Sequence, residues 1–428
     1  MKKIVIIGNS LAGIKAAEEI RKHDPSSEIT VLALEENLPS DRHAFAALVA
    51  KDISKQHIFY HPPAYYQKLK IHFVTDKKLS RVNFKRNRIF TGDSTPIAYD
   101  FLIIADTDLT AFPEIKGVGK SGSYTLRRFC DLQELMKNLM LIDTIVIQSE
   151  TLSGLKMACA LNRIGKEVIW ITADTQLLPS EMKDESSQIL CRILEEDGIR
   201  IMTENAVAEI LGDIEVKAVR LKSGKVLASQ AVVFTDLSAD LKMFKDTALE
   251  FHTRIPVNDH FQTNLANVFA VDGVCDFPNI TNAEQQGTMV ARTILNSGNS
   301  ATTSTQQSVT AEEGQAENFS CPVAEIKTRN SLIHFIGKTQ VGEGIFSQNQ
   351  HQPEEKIYRK FFFANNHVIG AVLINCGSEK EKIIQLVKSQ SPLISTEEVD
   401  PRAEIKDADR DLSMQLTTDP AGGYPLTH

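Results

Sequence analysis

The 428-residue sequence has little cysteine, and none of it is spaced for chemistry. Its six cysteines stand at 130, 159, 191, 275, 321 and 376, without a CxxC or a metal-ligand spacing. Scattered thiols of this kind are expected to stay reduced, and they argue against a disulfide-stapled secreted domain. There is no basic excess either: 47 Lys and Arg against 55 Asp and Glu leave a net charge of −8. A protein held on nucleic acid by phosphate contacts needs a concentrated basic face, so that class is not expected. No apolar run approaches the ~18 residues of a membrane span, and the four apolar residues after Lys3 are too few for a signal-peptide core. The expectation is a soluble, cytoplasmic protein. GxSxG, HExxH and GxxxxGKS/T are absent as well, which leaves hydrolase, zinc-protease and P-loop chemistry without support. Histidines such as His43, His57, His61 and His72 show no ligand spacing and read as surface or packing residues.

What is present is a chain of ordinary globular make-up, 42% hydrophobic and 24% charged, which rules out wholesale disorder. At roughly 150 residues per domain its length suggests about two to three domains. Lys3-Ile4-Val5-Ile6-Ile7 is a continuous β-prone run, as expected of a strand buried on both faces of a parallel sheet. It enters Gly8-Asn9-Ser10-Leu11-Ala12-Gly13, then a helical pattern from Ile14 to Lys22, then a strand at Ile29-Thr30-Val31-Leu32. That is a βαβ unit. The grammar returns with strand Thr144–Ile147, helix Gly154–Ile164, Gly165 as its stop, and strand Val168–Ile171. Tyr99–Ala105 reads as a strand returning to the first sheet, and Ala231–Phe234 as its counterpart in the second.

Gly8-x-Ser10-x-x-Gly13 is a near-match to the dinucleotide fingerprint GxGxxG. The first glycine permits a tight turn, the small middle residue lets backbone reach a pyrophosphate, and the last lets helix and strand pack. Glu35, 22 residues after Gly13, is the acid expected to hold a ribose hydroxyl. The alternative is a βαβ unit with a purely structural role. The second unit reads Ser149-Glu150-Thr151-Leu152-Ser153-Gly154, where only the packing glycine survives. Glu150 would place a negative charge beside a pyrophosphate. The ribose acid would fall near Thr172, which is not an acid. A nucleotide fold that has lost its nucleotide is the favoured reading there. Later, Asn267–Gly273 is an apolar strand ending in Asp272-Gly273, followed by Ala283-x-x-Gln286-Gly287 and a helix from Met289 to Leu295.

The order of these elements, over roughly residues 1 to 390, resembles the pyridine nucleotide–disulfide oxidoreductase family of flavoproteins. The branch it looks most like holds ferredoxin and rubredoxin reductases, NADH oxidases and the large subunit of NADH-dependent nitrite reductase. Leu38-Pro39-Ser40-Asp41-Arg42 sits where that family has Pro-Tyr-x-Arg, and Tyr99–Ala105 matches the strand before its Ala-Thr-Gly turn. Leu177-Leu178-Pro179 and Leu194–Ile199 match the middle of its NAD domain, and Thr263–Ala270 the strand before its Gly-Asp. The resemblance implies FAD as cofactor, held by Gly8, Ser10, Leu11, Ala12, Gly13, Glu35, Arg42 and Asp272. Several positions depart from the family pattern. The turn reads Ala105-Asp106-Thr107, the Gly-Asp is inverted to Asp272-Gly273, and the redox CxxxxC is absent. A lysine and a glutamate that some members place beside the flavin correspond to Ala47 and Lys156.

The expected fold is therefore α/β: two Rossmann-like domains of glutathione-reductase type plus a small α+β C-terminal domain. Residues 1–110 with 245–300 would bind FAD, and 111–244 would be a degenerate NAD(P)-type domain. Residues 296–320 read as a polar linker, 321–395 as an interface or dimerisation domain with strands at 331–337, 356–364 and 368–375, an Asn365-Asn366 hairpin and a helix over 379–389, and 396–428 as a disordered tail. No metal site is expected. The expected function is an FAD-dependent oxidoreductase reduced by a partner protein or another non-nicotinamide donor, with little use for NAD(P)H, in a homo-oligomer or a complex. The alternative is a catalytically silent paralogue acting as a scaffold or regulatory subunit.

Overall fold

The structure is a computed structural model, which describes residues 1–33, 38–75, 79–92, 96–105, 113–126, 128–179, 181–182, 185–235, 240–277, 282–297, 321–340, 342 and 344–390. The chain divides into two compact units, residues 1–316 with 326–331, and residues 317–325 with 332–428.

In the first unit the chain opens with β1 (Lys3–Ile7), α1 (Leu11–His23) and β2 (Glu28–Leu32), and reaches β3 (Ile71–Val74) after α2 (Phe45–Val49). A small antiparallel sheet then precedes β4 (Phe101–Ala105). After α3 (Phe129–Asn138) the pattern repeats as β5 (Thr144–Gln148), α4 (Leu152–Arg163) and β6 (Glu167–Ile171). Next come α5 (Glu185–Glu196), β7 (Arg200–Met202), a second antiparallel excursion and β8 (Ala231–Phe234). Finally β9 (Val268–Val271) and α6 (Ala283–Asn296) return to the start.

Two five-stranded parallel sheets result, ordered β9-β4-β1-β2-β3 and β7-β6-β5-β8 plus the short strand Ser123–Tyr124. The strands are near-continuous apolar runs because helices cover both faces. Ile4, Ile6, Ile103 and Ile104 are fully enclosed in one core, and Val146, Ile147, Trp170 and Val232 in the other sheet. In each sheet the strand order reverses beside its first strand. Ligands of open α/β sheets bind in the crevice at that reversal, outside the carboxyl ends of the strands. Gly8 and Ala105 meet this description in the first sheet, Ser149 and Thr235 in the second.

The second unit is one antiparallel sheet, ordered β10 (Val323–Lys327), β11 (Leu332–Gly337), β14 (His367–Ile374), β13 (Ile357–Ala364), β12 (Phe346–Gln352). α7 (Lys380–Ser389) covers it over Ile336, Ala371 and Leu373. Asn365 and Asn366 turn the β13–β14 hairpin with φ of 48° and 63°, as a primed two-residue loop requires.

Three boundaries differ from the sequence reading. α6 begins at Ala283 and not at Met289, because Asn282 accepts from the Gln285 amide and Gln285 reaches back, a capping box that starts the helix early. α1 begins at Leu11 and α4 at Leu152, each inside the glycine-rich turn. β10 and β12 are additional strands. Glu35, Asp106-Thr107, the linker from 298 and the tail from 391 lie outside the described residues.

Candidate functional site

Gly8 leaves β1 with φ +95°, a left-handed turn that a side chain would strain, and its amide bonds to Leu32 O at 2.9 Å. Ser10 caps α1, its hydroxyl accepting the Gly13 amide at 3.4 Å. A Cβ on Gly13 would stand 2.7 Å from Ala105 Cβ and 3.1 Å from Ile6 Cγ2, so helix and sheet touch here only because the side chain is missing. Asn9, between the two, holds its Nδ2 buried without a hydrogen-bond partner among the described residues. A buried amide donor in that state is unusual and costs free energy unless something outside the chain accepts from it. Sequence reasoning does not single out Asn9. Its only signal there is its place inside the turn.

Asp272 closes the crevice from β9. It holds φ +59°, while a Cβ at the neighbouring Gly273 would meet nothing within 4 Å. The inversion of Gly and Asp thus puts the carboxylate on the position that needs the left-handed backbone. Its Oδ2 accepts the Ala12 amide at 3.3 Å, and its own amide donates to Gln286 Oε1 at 2.7 Å. Gly287, next in α6, lies so close to α1 that a Cβ would be 2.4 Å from Ala12 O. Gln286 and Gly287 therefore tie α6, the Asp272 turn and the first turn of α1 together.

The second turn is filled from within. Ser149 is buried, and its hydroxyl accepts from Thr235 Oγ1 at 2.7 Å and from the Thr151 amide at 3.1 Å. Gly154 packs directly on it. Glu150 reaches across to the loop after β6, accepting the Ala173 amide at 3.2 Å. Thr172 is fully buried and accepts the Asp174 amide at 3.2 Å. Asp174, three residues past β6 as Glu35 is past β2, is the carboxylate at that end of the strand. It stands 20 residues after Gly154, the spacing expected of a ribose acid, so counting from that glycine points to Asp174 and not to Thr172.

Between the two halves of this unit lies a cavity of about 220 Å³, lined by Arg42, His43 and Ala46 on one side and Ser153, Lys156 and Thr235 on the other. Ala46, not Ala47, faces it. His43 keeps an exposed edge, while the desolvation of its ring lowers its pKa, opposed in part by Asp41. Burial likewise lowers Lys156, again opposed by Asp41. Arg42 and Lys156 thus line one cavity, and His43 joins them despite having no ligand spacing. Asp52 and Arg163 bridge the two halves close by, with two bonds of 2.7 and 2.8 Å. Among the described residues no cluster of His, Cys, Asp and Glu could hold a metal, and no helix is long and apolar enough to cross a membrane.

Two parallel sheets, each wound around a phosphate-type turn, define a protein with paired dinucleotide folds. Residues 2–287 match the model of the pyridine nucleotide-disulphide oxidoreductase family, and the chain belongs to that family. It is 24% identical, over 91% of its length, to the assimilatory nitrate reductase electron transfer subunit of Bacillus subtilis, and covers 49% of that protein. The nitrite reductase [NAD(P)H] of the same organism is 22% identical over 93% of this chain and 48% of its own length. The chain thus spans about half the length of these two relatives. It is also 23% identical to the ferredoxin–NAD(+) reductase component of the p-cumate 2,3-dioxygenase system of Pseudomonas putida, covering 95% of this chain and 98% of that one. Among solved structures, the covalent putidaredoxin reductase–putidaredoxin complex shares the fold, with a TM-score of 0.75, 17% identity, and coverage of 92% and 94%.

Proposed function

We propose that this chain is an FAD-dependent oxidoreductase of the electron-transfer kind, whose flavin exchanges electrons with a partner protein or a small non-nicotinamide donor. The observation that carries the reading is the contrast between its two turns. The first keeps an open glycine turn and an unpartnered buried donor on Asn9, which suit an incoming phosphate oxygen. The second has its donors and space taken by Ser149, Thr151, Thr235 and Glu150. Gly8, Asn9, Ser10, Leu11, Ala12 and Gly13 would hold the dinucleotide, and Arg42 with Lys156 would line its redox end. When bound, the flavin supplies the electron chemistry. The polypeptide binds it, orients it and sets the charge beside it. Relatives that carry the same fold are named as electron-transfer subunits and ferredoxin reductases, which supports a protein partner.

One observation favours the second reading, a silent paralogue. Two amides at the start of α1 are already occupied, Gly13 by Ser10 and Ala12 by Asp272. Colour separates the two readings. The purified protein should absorb near about 450 nm as flavoproteins do, or acquire that band on adding FAD. A colourless protein that does not take up FAD is the silent paralogue. For the donor, anaerobic mixing with millimolar NADH and then NADPH should leave the flavin oxidised over seconds, whereas dithionite should bleach it.

A further inference from the structure

The five-stranded sheet of the second unit has two edges, and they are finished differently. β10 ends one side with Glu325 and Lys327 among its five residues, and Glu325 accepts from Lys380 at 3.1 Å. Charge on an edge strand is one of the ways a fold keeps a stray strand from adding to it. β12 ends the other side. It pairs with β13 over all seven of its residues without a register shift, and no strand lies beyond it among the described residues. Its sequence, Phe-Ser-Gln-Asn-Gln-His-Gln, holds no lysine, arginine, carboxylate, proline or glycine. Charge, proline, a bulge and shortness are the devices that guard edges, and β12 has none of them.

An edge of this kind is a template for another strand, and β12 is complementary to itself. Turned antiparallel about Asn349, it sets Phe346 opposite Gln352, Ser347 opposite His351 and Gln348 opposite Gln350, with Asn349 on the two-fold axis. Like charges directly opposite would oppose such a seam, and this register brings none together. By the alternation of antiparallel ladders the seam gains about six to eight backbone hydrogen bonds. It also covers Phe346, a large apolar side chain that is 68% exposed at the start of the strand. We propose that the β12 edge is the pairing site for a second copy of this chain, joining two five-stranded sheets into one across a two-fold axis. The assembly closes at two copies, because each brings one such edge. One strand on each side is a small seam, so the dimer should form and dissociate with concentration. The inference stands on this edge alone and is independent of the flavin reading.

The test follows the full chain from about 1 to 100 µM at about 0.15 M salt, where the net charges of two copies are largely screened from each other. Sedimentation velocity should show monomer passing to dimer and nothing larger. Hydrogen exchange at the two ends of that range should show the amides of 346–352 gaining protection at the higher concentration. Two double variants then test the register. Ser347→Lys with His351→Lys places like charges opposite each other at both crossings, and Ser347→Lys with His351→Glu places opposite charges there. The second should dimerise at least about tenfold more tightly than the first. Both lose the ring contact of His351 with Tyr358, so a merely structural role of His351 would not separate them. A wild type that stays monomeric at the top of the range would overturn the proposal. So would assembly beyond dimers, a dimer with unchanged exchange over 346–352, or equal affinities of the two variants. The two wild-type readings decide alone should a variant misfold. FAD content, read by absorbance in the same samples, reports on the cofactor separately.

Discussion

Single atoms decide the first turn. Gly13 cannot carry a side chain without displacing Ala105 or Ile6. Gly13→Glu adds that clash and a negative charge at the helix start, and should abolish FAD retention in absorbance after gel filtration. Full flavin occupancy in that variant would refute the phosphate role of the turn. Asp272 makes the opposite case. Its carboxylate already sits on the Ala12 amide, where it opposes an incoming pyrophosphate. Asp272→Asn keeps a residue type that tolerates left-handed φ and removes the charge. It should tighten FAD by about tenfold, some 1.4 kcal/mol, in fluorescence titration of the apoprotein. Weaker binding would instead make Asp272 a direct contact of the cofactor. Both glycines and the displaced acid were legible in the sequence, since small residues mark where backbone must come close. Asn9 was not, because its meaning lies in being buried without a partner, and burial is a property of the fold.

At the scale of elements, the helices that hold the site are limited by one crossing. Gly287 brings α6 within contact of the α1 backbone, and a methyl group there would have Ala12 O, Ala16 N and Lys15 Cβ all inside 3 Å. Gly287→Ala must push the helices apart, at a cost of about 1–3 kcal/mol typical of overpacking. Chemical denaturation should show that loss, and FAD affinity should fall with it because Gln286 supports the Asp272 turn. A stability within about 0.5 kcal/mol of wild type, the scatter of surface changes, would contradict the crossing. The sequence showed a glycine after an alanine and a glutamine there, but a helix starting later, since polar residues break the apolar period that marks helices. In the C-terminal unit the missed strand β12, Phe-Ser-Gln-Asn-Gln-His-Gln, has no alternation to reveal it. The same unit carries a titration. His334 is buried on β11, 3.3 Å from Glu325, and desolvation lowers its pKa below 6.5 despite that carboxylate. A histidine kept neutral in the fold binds fewer protons than the unfolded chain, so stability falls as pH drops below about 6.5 and levels off beneath the folded pKa. Melting of the wild type should decline between pH 7 and pH 5, and His334→Gln should flatten that part of the profile. A slope unchanged by the substitution would assign it elsewhere.

The whole molecule sets one fold beside itself twice, and the two copies have diverged at corresponding places. After β1 the chain turns through glycine and leaves Asn9 unsatisfied; after β5 it turns through Ser149, whose hydroxyl is bonded to Thr235 and Thr151. Both sheets reverse their strand order at these points, so topology alone would allow two dinucleotides. The copies were legible as copies from the apolar runs and packing glycines. The closing of the second turn was legible only as missing glycines, because two of the bonds that fill it join distant residues, Thr235 to Ser149 and Ala173 to Glu150. If those side chains close the site, removing them should open it. Ser149→Gly with Glu150→Ala takes away the plug and the strap to Ala173, and leaves Asp174 at the end of β6 to meet a ribose. Each lost contact to a nucleotide is worth about 1–3 kcal/mol, so restoring two should raise NADH affinity by about tenfold or more over the wild type. The double variant is titrated by NADH fluorescence beside the wild type, with FAD content checked in both. Micromolar NADH binding by the unmodified chain, or no gain in the double variant, would show that the second turn is not what keeps the nicotinamide nucleotide out.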